Sequence, residues 1–150
     1  MIAYRKASYD DNQILTQLLH ELYQDVPYEH LAEENCLHHD CEKQAFFLAY
    51  DGEEAVGVCH GSIRYEYVNG KEGEIWEDCG YLEAIYVRES HRMQGVATGL
   101  VALCEKWVHD NNCNEFLSDC LLDNSDSFKF HLKLGFVETE RCIFFRKELT

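Results

Sequence analysis

His91-Arg92-Met93-Gln94-Gly95-Val96-Ala97 is the stretch on which the reading of this chain turns. It follows a strand-like run, Tyr81-Leu82-Glu83-Ala84-Ile85-Tyr86-Val87, and it opens an amphipathic one. In the latter, Val96, Leu100, Leu103 and Trp107 recur at helical spacing. Strand, basic glycine turn and helix together make a cradle for a pyrophosphate-like anion. The first N–H groups of a helix have no partner inside it, and the helix dipole adds partial positive charge there. Gly95 lets the backbone approach a ligand closely, and Arg92 offers a charge-assisted bond to an oxyanion.

Working outward, Ile2 to Lys6 reads as a first strand. Asp10 or Asp11 caps a helix carrying Ile14, Leu15, Leu18, Leu19 and Leu22, and Asp25-Val26-Pro27 breaks it. A weaker helix spans His30 to Asp40. Gln44–Tyr50 and Glu53–Val68 flank the Asp51-Gly52 turn as a hairpin, followed by an acidic loop from Asn69-Gly70 to Asp78. Beyond the cradle the helix runs to about Asn111, Glu115 to Asp119 is a strand, and Ser125 to Leu134 is a short helix stopped by Gly135. Phe136–Glu140 and Cys142–Lys147 are expected to close as an antiparallel pair. The expected fold class is α/β (α+β): one domain over 1–150, with a mixed, mostly antiparallel sheet flanked by about four helices.

A length of 150 residues with 46% hydrophobic content supports a folded core. No apolar run approaches the roughly 20 residues that span a bilayer, and Met1 to Lys6 lacks a signal-peptide core. A cytoplasmic location without membrane contact is therefore expected. The eight cysteines form no Cys-x-x-Cys pair, and nothing in the chain directs export, so they read as reduced thiols. Cys36-Leu37-His38-His39-Asp40-Cys41 matches no standard zinc spacing, and no metal is expected. A formal charge of −15 argues against nucleic acid. It suits a cationic partner, and serves solubility equally well.

Three side chains are candidates for chemistry. Glu83 sits among apolar residues of a strand, where a charge is costly unless it works or is paired. It is either a proton acceptor or the ion-pair partner of an arginine on the neighbouring strand, such as Arg64. Asp119 ends a strand, on the side where α/β sheets hold ligands, or else it serves its own loop. His131 lies seven residues after Asn124, so the two share a helix face. It is a proton donor, a ligand contact or a packing residue.

Arg92-x-x-Gly95-x-Ala97, together with Asn124 and the later Leu134-Gly135-Phe136, resembles the GCN5-related N-acetyltransferase superfamily. The resemblance implies acetyl-CoA as acyl donor, bound by Arg92, Met93, Gln94, Gly95, Val96, Ala97 and Thr98. The backbone at Ile85 and Val87 would pair with the donor's arm, and Asn124 and His131 would contact it. Many members carry a tyrosine where this chain has His131, and that tyrosine protonates the departing sulfur. A glutamate on the Glu83 strand often takes the proton from the amine.

Ser62-Ile63-Arg64-Tyr65-Glu66-Tyr67-Val68-Asn69-Gly70, Ser118-Asp119 and Glu138-Thr139-Glu140-Arg141 are similar to one branch, the bacterial aminoglycoside 6′-N-acetyltransferases. That similarity implies an antibiotic cleft lined by Tyr67, Glu83, Asp119 and Glu140, with Tyr23 nearby, and a homodimer. Aminoglycosides are polycations, which suits the carboxylates. The alternatives are the same fold acting on a polyamine or protein amine, and a module that binds acyl-CoA without turnover.

Overall fold

Residues 45–49 are apolar without alternation, as expected of a strand covered on both faces. In the structure, a computed structural model that describes residues 1–73 and 75–150, this run is the middle of β2 (Gln44–Asp51). Phe46 and Leu48 face one layer, while Ala45, Phe47 and Ala49 face the other. The strands β1 (Ile2–Lys6), β2, β3 (Glu54–Tyr67), β4 (Trp76–Val87) and β5 (Phe116–Leu117) follow in that order across one sheet. The first three pairings are antiparallel, and β4 with β5 is parallel.

On one face lies α1 (Asn12–Leu22), whose Leu15, Leu18 and Leu19 pack on Phe46, Leu48, Val58 and Ala84. Beside it, α2 (Tyr28–His39) buries only Leu31 and Asn35 and is tied to α1 by polar contacts such as Asn35 Nδ2 to Thr16 Oγ1 at 3.1 Å. The other face is covered by α3 (Val96–Asp110), with Leu100, Val101 and Cys104 against Val56, Cys59 and Leu82. The last helix is α4 (Ser125–Lys133), capped by Asn124 Oδ1 accepting from the Ser127 N–H at 3.1 Å.

The approach of α3 to β4 depends on Gly80. A Cβ there would fall inside the side chain of Val108. Gly80→Val is therefore expected to lower unfolding free energy by about 3 kcal/mol, as overpacked cores do. Urea midpoints compared at equal slope measure this, and an unchanged midpoint would mean that α3 shifts aside freely.

Several element boundaries differ from the sequence reading. β4 begins at Trp76, so the acidic segment Glu77-Asp78 is strand rather than loop. Lys71 neutralises it, with Nζ 2.7 Å from Glu77 Oε1 and 2.9 Å from Glu115 Oε1. Of the expected 69–78 loop, residue 74 lies outside the described residues. Only Phe116 and Leu117 of the expected 115–119 strand pair with β4.

The expected closing pair of strands, 136–140 and 142–147, is absent. Val137, Ile143, Phe144 and Phe145 are exposed, the last two above 90%. A strand needs a neighbour for its N–H and C=O groups, and no described residue pairs with this tail.

Candidate active site

The β4–β5 pairing covers only Gly80 with Phe116 and Tyr81 with Leu117. Among the described residues, no strand lies beside β4 on its β5 side beyond Tyr81. That leaves an open strand edge over Leu82–Val87, the segment holding Ile85 and Val87, where an extended ligand can pair. At the mouth of the fork the β3–β4 register shifts. His60 faces Ala84 and Gly61 faces Leu82, so Glu83 is the extra residue of a β-bulge. Bulges re-aim side chains beside sites: Glu83 keeps the face of Tyr81 by plain alternation, and the residues after it change face, Ala84 packing in the α1 layer and Ile85 and Val87 in the α3 layer.

At the far end of β4, the cradle takes the shape expected from residues 91–98. Met93 and Gly95 are both left-handed, with φ of 62° and 79°. Gly95 is the N-cap of α3 and provides no side-chain cap. The first backbone bond from α3 back to the turn is Gly99 N–H to the Gly95 carbonyl at 3.0 Å. The N–H groups of Val96, Ala97 and Thr98 therefore point outward for an anion. Arg92 is braced, its Nε donating to the Val87 carbonyl at 2.8 Å and its guanidinium 5.8 Å from the Tyr86 ring centre. Met93 and Gln94 stand exposed at the rim. The set fits a pyrophosphate, with unpaired donors, a cation and no acidic side chain between residues 91 and 98.

The acceptor side is a carboxylate network. Arg64 donates to both oxygens of Glu83, Nε to Oε1 and Nη2 to Oε2, each at 2.7 Å. Ser62 Oγ adds a third bond to Oε1 at 2.5 Å. The ion pair raised as an alternative for Glu83 is thus present. The Arg64 guanidinium also lies 3.8 Å from the centre of the Tyr81 ring, whose hydroxyl donates to Asp119 Oδ2. Burial first, then that bond to Asp119, pushes the Tyr81 phenol well above its ordinary range. Tyr23, just past α1, is also raised, by burial and then by the charges of Glu83, Asp119 and Glu34. Glu83 and Asp119 are joined through Arg64 and Tyr81, and both charges act on Tyr23.

His131 lies on α4 at the β5 side of the fork. A carbonyl can only accept, so Nδ1 carries the hydrogen in its 2.7 Å bond to the Ser127 carbonyl. Nε2 faces Ser118 Oγ at 2.7 Å, one residue beyond the last β5 pairing. Phe136 packs against the ring at 5.2 Å.

Two expected residues stand apart. Tyr67 lies against Trp76, ring centres 5.8 Å apart, and alternation along β3 sets it opposite Arg64. Glu140 lies in the exposed tail, next to Thr139, whose methyl passes the β3–β4 turn at Gly70. Asn124 spends its side-chain oxygen capping α4. Ser62, Tyr81 and Ser118 were not singled out. Their partners lie far along the chain, on another strand, past β5 or on α4.

Among the described residues, no group of three or more His, Cys, Asp or Glu side chains is placed to hold a metal ion. No helix there is long and apolar enough to cross a membrane. All eight cysteines are free thiols.

The family model described as "Acetyltransferase (GNAT) family" matches residues 12–136. The chain belongs to the GNAT family. Among GNAT relatives, "Aminoglycoside N(6')-acetyltransferase type 1" of Acinetobacter haemolyticus is 42% identical over 134 residues, covering 89% of each chain. The protein of the same name from Acinetobacter baumannii is 45% identical over 103 residues, covering 68% of each. Among solved structures, AAC(6')-Iy in complex with the bisubstrate analog CoA-S-monomethyl-acetylneamine superposes with a TM-score of 0.90. It is 32% identical and 99% of both chains is covered. The mixed five-stranded sheet with four α-helices is the fold those GNAT enzymes share.

Proposed function

We infer that this protein transfers the acetyl group of acetyl-CoA to the 6′-amine of aminoglycoside antibiotics, and so confers resistance. The observation that carries this is full-length agreement with a relative whose structure holds CoA joined to an aminoglycoside fragment. The relatives named for 6′-N-acetylation support the position of transfer. The site agrees with both partners, having an anion cradle at α3 and a carboxylate cluster at the fork.

In this reading Arg92 to Thr98 hold the pyrophosphate and the open edge at Ile85 and Val87 lays out the thioester arm. Asn124, on the same helix face as His131, borders the donor. Tyr23, Glu83 and Asp119 receive the polycation. The neutral amine attacks the thioester carbon, the C–S bond breaks, and the ammonium proton leaves by way of Glu83 or a water it holds. The departing thiolate takes a proton from His131. Ser118 Oγ, 2.7 Å from Nε2, is placed to pass that proton on to sulfur. Direct transfer needs no acyl-enzyme.

The tail completes the proposal. Three consecutive exposed apolar residues, Ile143, Phe144 and Phe145, and an open sheet edge at β5 call for a second copy. A homodimer that pairs the C-terminal segments would supply the missing strand partners and bring Glu140 and Tyr67 to the antibiotic. Phe144→Glu with Phe145→Glu is expected to give a folded monomer by light scattering, where the wild type gives a dimer. A wild-type monomer would remove the dimer. Free thiols and the donor's chemistry support a cytoplasmic setting, with residues 1–150 as one N-acetyltransferase domain.

Thiol release from acetyl-CoA tests the activity on two panels. One contains kanamycin- and gentamicin-type drugs plus an analogue with a 6′-hydroxyl, and the other contains polyamines and basic peptides. Turnover confined to 6′-amino drugs is expected. Turnover on the second panel alone would leave the fold and donor standing and overturn the antibiotic.

A further inference from the structure

An arginine is an unexpected neighbour for a site that receives a polycation. Its charge opposes the substrate, and it occupies the carboxylate on which the substrate is expected to rest. We propose that Arg64 is the positioning residue of the acceptor carboxylate, acting through Glu83 and never on the substrate itself. This rests on the acetyl-transfer reading above.

A glutamate in a β-bulge has more backbone freedom than one in a regular ladder, and its carboxylate can rotate. Two guanidinium bonds at 2.7 Å fix the carboxylate plane, because the planar fork of arginine matches both oxygens at once. The Ser62 hydroxyl, itself buried, takes a third acceptor position at 2.5 Å. An ionised carboxylate has about four such positions. One remains, on the Oε2 side, and it is the place where an amine or its water can bond.

Arg64 is fixed in turn. Its guanidinium rests on Tyr81 with 3.8 Å to the ring centre, and Nη1 lies 3.7 Å from Glu66 Oε1. Tyr81 holds Asp119. The two acceptor carboxylates, Glu83 in β4 and Asp119 just past β5, are thus set relative to one another through a single stack. Arg64 also cancels the charge of Glu83, which leaves Asp119 to attract the polycation. Electrostatics and geometry then make opposite predictions for the loss of Arg64. Removing a cation should help a polycation bind, while releasing Glu83 should slow the chemistry.

The test is Arg64→Met and Arg64→Lys, alone and combined with Glu83→Gln, assayed on the amine that the wild type turns over. Arg64→Met is expected to lower kcat about thirtyfold or more, the scale of a misplaced reacting group, with KM for the amine unchanged or lower. Arg64→Lys keeps the charge without the fork, so its kcat should stay at least about tenfold down. In the Glu83→Gln background, Arg64→Met should change kcat by less than about threefold, since the group it positions is already gone. An unchanged KM for acetyl-CoA shows that the variants are folded.

Full activity of Arg64→Met, full rescue by lysine, or an effect that adds undiminished to Glu83→Gln would each overturn the proposal. A wild type that acetylates polyamines instead would overturn the antibiotic reading and still allow this test.

Discussion

Gly95→Asp is expected to raise KM for acetyl-CoA by about 100-fold while KM for the antibiotic stays within about twofold. Such a change corresponds to roughly 2.8 kcal/mol of lost binding, at 1.4 kcal/mol per tenfold. Two effects contribute and can be separated. Gly95 holds φ at 79°, where any side chain is strained, and nothing lies within 4 Å of the place its Cβ would take. An aspartate there therefore projects into the cradle itself. Its carboxylate competes for the N–H groups of Val96, Ala97 and Thr98 and repels the pyrophosphate. Gly95→Ala carries the strain without the charge, and its expected rise in KM is about tenfold or less. Initial rates at saturating concentration of each partner in turn decide the matter. Equal rises in both KM values would mean that α3 does not hold the donor.

This asymmetry explains what the sequence made legible. The cradle is local, since a glycine, a basic residue and the start of a periodic run lie within eight positions and carry their own backbone chemistry. The five strands and four helices also followed from local periodicity. Glu83 was conspicuous as a charge in an apolar strand, and Arg64 was in view as its partner. The bulge at Glu83, which swaps the faces of the residues after it, was not, because a register shift is a property of two strands. The Tyr81 hydroxyl on Asp119 and the Ser118 hydroxyl on His131 join residues 38 and 13 positions apart, and nothing local signals either.

The tail failed for a different reason. Residues 136–140 and 142–147 carry apolar side chains suited to strands, yet they form none, because β-structure requires a paired neighbour and no described residue pairs with them. Tyr67 and Glu140 stand apart from Glu83 in that same single copy.

Acidification is expected to cost this protein about 2 kcal/mol between pH 7 and pH 5 through His60 alone. The ring stacks on Phe46 at 4.3 Å, and Nε2 donates to Gln44 Oε1 at 2.7 Å. On the α2 side it faces His38, ring centres 4.9 Å apart, while His39 packs on the far partner Phe46 at 5.4 Å. From β3 itself the charge of Arg64 also acts on it. Burial first, then His38 and Arg64, push His60 down to about 3. In the unfolded chain the ring titrates near its ordinary value of 6.5. Between those values the unfolded state holds a proton that the folded state refuses, so stability rises with pH in that window. Its loss begins as pH falls through 6.5 and continues toward 3, at about 1.4 kcal/mol per pH unit. His39, also lowered by burial, acts in the same direction. His60→Phe keeps the stack on Phe46 and removes the titration. Urea unfolding at both pH values should show the wild type losing about 2 kcal/mol more than the variant. Equal losses would place the acid sensitivity elsewhere. The larger loss would show that the α2 layer, which buries little apolar surface, is secured by a histidine that must stay neutral.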